Sequence, residues 1–283
     1  MSTHEESYYY VPGPSAWPLV GSFALLLMAA GSVMLMNKVG VGMPTLLAGL
    51  AVLLYMMYGW FSKVIAESRA GEYNKRVDVS FRWGMGWFIF SEVMFFAAFF
   101  GALFYIRVIS IPDLSSIDNA LIWPDFKSVW PSAGPGFKGE WDPMAPWGLP
   151  AINTLLLLAS GATLTWAHWG LMANKRTQLA VGLFLTVLLG AIFMGLQVYE
   201  YSHAYQEMNL KLSTGGYGST FYLLTGFHGF HVTLGVLMLM VILFRSLKGD
   251  FTPKHHFAFE AVAWYWHFVD VVWLFLFVVV YWL

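Results

Sequence analysis

Seven stretches of the chain are almost purely apolar and about 20 residues or longer, enough to cross a hydrocarbon layer of roughly 30 Å. They run approximately over residues 17–36, 43–61, 83–107, 147–171, 179–200, 219–244 and 260–282. Backbone groups in lipid must be satisfied within the segment or around a closed barrel, and barrel strands would be half as long and alternating. The pattern therefore predicts an all-α membrane protein with seven transmembrane helices.

The polar stretches organise these helices. Residues 1–16 form an N-terminal segment without Lys or Arg, so no basic start to a cleavable signal precedes the first helix. The short 37–42 link makes the first two helices an antiparallel hairpin, 17–61. A polar link, 62–82, separates it from a five-helix bundle, 83–283, interrupted by an irregular loop at 108–146 rich in Pro, Gly, Trp and Asp. Thr225, Gly229 and Thr233 recur every fourth residue, as do Gly182, Thr186 and Gly190. Small residues in that pattern let helices approach closely in lipid. Trp264, Tyr265, Trp266 and Trp273 read as an interfacial belt.

Basic residues set the expected orientation. Ten lie in the links on the N-terminal side of the membrane: Lys63, Arg69, Lys75, Arg76, Arg82, Lys175, Arg176, Arg245, Lys248 and Lys254. Five lie on the other side: Lys38, Arg107, Lys127, Lys138 and Lys211. That asymmetry places the N-terminus in the cytoplasm and the C-terminus outside.

Composition narrows the chemistry. Only 11% of the 283 residues are charged, against 58% apolar. A net charge of -1 argues against nucleic acid as a partner. The absence of cysteine excludes disulfides, thiolate metal sites, iron–sulfur clusters and Cys nucleophiles.

Five ionisable residues fall deep within the apolar runs: Glu92, His228, His231, His267 and Asp270. His168, Glu200 and Glu260 sit nearer run ends. At 1.5 Å per residue, Glu92 and Asp270 lie about 15 Å, and His231 about 21 Å, from the cytoplasmic ends of their helices. Their depths overlap, so they can meet. Three readings compete. A metal or haem site would use His228 and His231, three residues apart, but needs more ligands and a second shell. A di-iron site needs Glu-x-x-His on two helices, and only Glu200 to His203 fits. A proton or ion path would want more acids in line. A structural network of buried polar groups that find partners across helices is favoured. At the cytoplasmic ends, Arg82, Arg245, Lys63 and Glu67, beside Trp60, could gather a phospholipid headgroup, or simply anchor the helices.

Several runs, in order, resemble the third to seventh helices of subunit III of the haem–copper cytochrome c oxidases. They are FRWGMGWFIFSEVMFF at 81–96, NTLLLLASGATLTWAHW at 153–169, GLFLTVLLGAIFMGLQVYEY at 182–201, STFYLLTGFHGFHVTLG at 219–235 and WYWHFVDVVWLFLFVVVYW at 264–282. The resemblance implies a two-helix hairpin splayed from a five-helix bundle, with phospholipid bound in the cleft. It implies a subunit without redox centres, since haem a and copper reside in partner subunits I and II. It implies packing on subunit I and support of proton uptake and of the durability of the catalytic core. Glu92 matches a buried, carbodiimide-reactive carboxylate and His231 its hydrogen-bond partner. Trp60, Glu67, Arg82, Phe88, His231 and Arg245 match lipid-binding positions. No residue is carried over as catalytic or metal-binding. The link at 62–76 is only loosely similar. The long 108–146 loop and the extended N-terminus suggest a bacterial inner-membrane member. A quinol oxidase third subunit and a stand-alone transporter are the alternatives.

Overall fold

A computed structural model describes residues 11–283; the first part of the expected N-terminal segment 1–16 lies outside the described residues. Seven helices are long and apolar enough to cross a membrane, and no strand is formed among the described residues. They are α1 (Trp17–Met36), α2 (Gly42–Ala70), α3 (Lys75–Phe104), α4 (Leu149–Met172), α5 (Arg176–Gln206), α6 (Gly215–Leu247) and α7 (Phe257–Leu276). Both α3 and α7 end in π-helical turns, Tyr105–Ser110 and Phe277–Trp282.

Several helices outrun the apolar runs that announced them. The hydrophobic run marks the membrane thickness, whereas the helix continues wherever its backbone bonds can. Thus α2 continues through Ser62–Ala70, and α3 begins at Lys75 inside the expected polar link, leaving only residues 71–74 outside helix. Local sequence explains the break. Gly71 adopts φ 74°, a left-handed cap open to glycine, and the Glu72 N–H donates to the Glu67 carbonyl at 3.2 Å. Asn74 then starts α3, its Oδ1 accepting from the Arg76 and Val77 N–H groups at 3.0 Å each.

The chain divides into two compact units, residues 1–81 and 82–283. In the first, α1 and α2 form the hairpin. Their buried residues are all small: Gly21, Ala24 and Gly31 on α1, Gly42 and Gly49 on α2. Leu19, Leu26, Leu54 and Tyr58 are among the large apolar side chains turned outward, as lipid requires.

In the second unit, α4 packs on α5, α5 on α6, α6 on α7, and α7 returns to α4. Trp266 locks this ring. It is fully buried, its indole N–H donating to the Ser160 hydroxyl at 2.9 Å. Its ring fills the space that glycines leave on both flanking helices: a Cβ at Gly190 or Gly235 would stand 2.7 Å from it. Trp273, 1% exposed, likewise donates to the Thr154 hydroxyl at 2.9 Å. The expected interfacial belt is therefore corrected. Trp266, Trp273 and Tyr265 are bundle core, and only Trp264 is substantially exposed. Their N–H and O–H groups find partners inside, which removes the cost that otherwise keeps such rings at the wet boundary. α3 joins through aromatic contacts, Phe95 with Phe227 and Phe96 with Phe268.

The loop after α3 is tied to the start of α6. Ser132 and Ala133 carbonyls accept from the Tyr217 and Gly216 N–H groups, and Trp141 stacks on Tyr217 at 5.4 Å.

Candidate functional site

Glu92 on α3 and His231 on α6 meet inside the bundle, Oε2 to Nε2 at 2.8 Å. His231 is 9% exposed and Glu92 21%. Phe95, Phe96 and Tyr265 surround the imidazole, with Tyr265 stacked on it at 6.4 Å. Phe88 in turn stacks on Tyr265 at 6.2 Å.

The second ring nitrogen fixes the proton count. Nδ1 of His231 lies 2.6 Å from the Phe227 carbonyl, which can only accept, so Nδ1 carries a hydrogen. The Nε2–Oε2 contact then needs one further proton, on either atom. The pair is a neutral acid beside a neutral imidazole, or a carboxylate beside an imidazolium. Its net charge is zero in both forms, which lets a carboxyl group persist where an isolated ion is expensive.

His228, one turn away, does not join it. It is fully buried, and its Nε2–H donates to the Val269 carbonyl on α7 at 3.1 Å. The ring lies against Trp273 and Phe193, and Nδ1 has no partner among the described residues. Residues three apart on a helix differ by about 60° in direction, enough for these two to serve different neighbours. They do not converge on one metal.

His267 and Asp270 face each other along α7 at 3.6 Å, longer than a hydrogen bond. Asp270 is 7% exposed and packs over Gly161 of α4. Its contact is with its own helix neighbour, not with Glu92.

Two polar groups near run ends prove more enclosed than their positions in the sequence suggest. Glu200 is fully buried and accepts from the Tyr281 hydroxyl at 2.8 Å. At the other end of the bundle Arg82 pairs with Glu260, whose second oxygen lies 3.2 Å from His256 Nε2 and 4.0 Å from His168 Nε2. The donor atoms of His168, His256 and Glu260 are close enough to ligate an ion. The guanidinium of Arg82, on the same carboxylate, sets a fixed positive charge beside them, and the cluster is best described as an ion-pair network.

The expected lipid-binding residues separate by unit. In the hairpin unit, Trp60 is 42% exposed. Glu67 accepts from the Tyr73 hydroxyl at 2.7 Å, with Lys63 at 3.8 Å. In the bundle unit, Arg82 also lies over the Phe257 ring, and Arg245 pairs with Asp250 at 3.0 Å above the Phe251 ring. Arg82 and Arg245 are thus held in place by carboxylates and rings of the bundle itself.

Comparison with known proteins decides the family. The family profile described as cytochrome c oxidase subunit III matches residues 7–283. The chain belongs to the cytochrome c oxidase subunit III family. Proteins named cytochrome c oxidase subunit 3 are 43% identical in the liverwort Marchantia polymorpha, over 100% of this chain and 98% of the relative. The one from Mus musculus is 43% identical over 99% and 98%, and that from Triticum aestivum 44% over 100% and 98%. As a subunit III, the chain is a multi-span membrane protein of an oxidase complex that contains other subunits. The sequence placed His168, Glu200 and Glu260 near run ends but did not reveal the burial of Glu200 or the pairing of Glu260 with Arg82 and His256. The signal for Glu200 was the polar face Gln197, Glu200, Tyr201 at helical spacing.

Proposed function

We propose that this chain is the accessory, non-redox subunit III of an aa3-type cytochrome c oxidase. In this reading it packs on subunit I, while haem a and copper in subunits I and II carry electrons from cytochrome c to oxygen. It supports proton uptake and the durability of that core, and binds phospholipid. The observation that carries the reading is the Glu92–His231 pair, a single titratable couple enclosed by Phe95, Phe96 and Tyr265. One proton shared between two atoms suits register and durability; a relay needs successive groups within reach. His228, fully buried, is committed to a backbone carbonyl.

The lipid-binding proposal assigns Trp60 and Glu67 on the hairpin unit and Arg82, Phe88, His231 and Arg245 on the bundle unit. Support comes from exposed aromatic surface at Trp60 and Phe88 and from cations fixed by their own partners, so that a headgroup phosphate meets a preorganised donor. The membrane is proposed to be a bacterial plasma membrane, with the N-terminus cytoplasmic and the C-terminus periplasmic. The ten-to-five distribution of basic residues supports the orientation, and the long 108–146 loop supports the bacterial assignment.

Affinity purification of this chain in mild detergent, read by a reduced-minus-oxidised spectrum, tests the reading. A haem a band that rises with the chain is expected. Haem b and o bands alone would move it to a quinol oxidase, and a folded preparation without haem would refute the oxidase assignment. Glu92→Gln should assemble and reduce oxygen; loss of electron transfer would overturn the accessory role.

A further inference from the structure

α3 and α7 wall a groove that the assigned positions do not touch. Its volume is about 700 Å³. The floor is buried Phe96, Leu103, Phe268 and Val272, and the rims are Phe104 and Phe275, 58% and 60% exposed. Of the residues lining it, Arg107 alone is polar, and it stands at one end. Its guanidinium rests over the Trp130 ring at 5.7 Å, and no carboxylate among the described residues pairs with it. The π-helical turns of both walls fall at this same end, Arg107 lying within that of α3. Such turns re-aim side chains and recur at functional sites.

From these features we infer that the groove seats one acyl chain of a phospholipid whose phosphate binds Arg107. Length supports it. Val93 to Arg107 is 14 residues, about 21 Å along α3, which equals half of a bilayer of roughly 40–45 Å including its headgroups. The groove therefore spans one leaflet, apolar from mid-membrane outward and cationic at the headgroup level. Charge completes it. Arg offers a planar fork of donors to phosphate, and the Trp130 ring fixes its plane. The site lies at the end of the bundle opposite Arg82 and Arg245, so it is distinct from the lipid positions proposed above.

The test uses the intact oxidase complex in phosphatidylcholine vesicles doped with a phosphatidylglycerol that carries a diazirine at the end of one acyl chain. Photolysis should place adducts on peptides containing Ala97, Phe268 or Val272. Arg107→Gln should lower that yield about fivefold, the factor one cation contributes near a membrane surface. Ala97→Trp, which fills the groove, should abolish it. Haem a content per complex reports assembly of each variant, and if Ala97→Trp fails to assemble, the wild-type adducts and Arg107→Gln decide. Equal labelling of the wild type and Arg107→Gln would overturn the proposal. So would adducts confined to other faces, or a benzophenone at Val271 that captures a partner subunit in place of lipid. A complex that carries haem a yet shows no groove adducts refutes this site alone and leaves the oxidase assignment standing.

Discussion

The Glu92–His231 pair can be weighed by a double-mutant cycle, and the size of the coupling identifies where the shared proton sits. Glu92→Ala strands His231 Nε2, and His231→Ala strands the carboxyl, each in a pocket walled by Phe95, Phe96 and Tyr265. Leaving one buried partner unsatisfied costs about 1–3 kcal/mol. The double variant removes both, so the cycle isolates the bond itself. Neutral hydrogen bonds between transmembrane helices average about 0.6 kcal/mol and reach about 1.7. Bonds to charged groups contribute about 1.5–3 kcal/mol. The 2.8 Å separation is compatible with both, and the partial exposure of Glu92 brings in some screening, which pulls an ionic pair toward the lower end of its range. A coupling near 0.6 kcal/mol would therefore mark a protonated Glu92 beside a neutral imidazole, and one above about 2 kcal/mol a carboxylate beside an imidazolium. Reversible SDS unfolding of the chain in mixed micelles, followed by tryptophan fluorescence, supplies the four free energies. Glu92→Gln should sit between wild type and Glu92→Ala, because its amide can still donate to Nε2. A coupling indistinguishable from zero would refute the pairing and, with it, the proton count derived from the Phe227 carbonyl.

Other positions give further checks. Tyr281→Phe removes the donor to buried Glu200 and should destabilise the chain by about 1–3 kcal/mol, a loss that adding Glu200→Leu should largely recover in the same unfolding assay. Gly235→Val drives a side chain into the Trp266 ring, so it should cost at least the roughly 1–3 kcal/mol of an overpacked core and lower the yield of assembled complex; wild-type yield and stability would show the contact to be loose. Arg82→Gln breaks an ion pair whose members are a third and a sixth exposed, so its effect on stability should stay within about 1 kcal/mol in dilute salt and shrink as salt is added.

The seven helices were legible because lipid imposes one length and one polarity on every span. Their ends were not. Hydropathy falls off at the headgroups, while α5 runs six residues past Glu200 to Gln206, and that displacement made a fully buried carboxyl look peripheral. Depth along the helices anticipated that Glu92 and His231 could meet, because depth is set by residue count alone. Which neighbour each polar group chooses depends on rotation about the helix axis, and spacing gives that only within one helix. His228 and His231 share a sequence neighbourhood but turn to α7 and α3 respectively. Trp266 and Trp273 were misread for the same reason: composition places Trp at an interface, and only their partners Ser160 and Thr154 on α4 reveal a core position.

The indoles of α7 also bear on the order in which this bundle can mature. Ser160, Thr154, Gly190 and Gly235 all leave the ribosome before Trp266 and Trp273, so α4, α5 and α6 enter the membrane with an open slot lined by hydroxyls and bare backbone. α4 and α5 lie directly against each other, Thr163 and Thr186 sharing a hydrogen bond of 2.8 Å, but the space beside Gly190 and Gly235 is filled only when α7 brings in Trp266. The bundle thus carries its own completion signal. Until that helix arrives, an accessible polar seam inside the membrane distinguishes an unfinished subunit from a finished one, and a quality-control protease or an assembly factor has something physical to read.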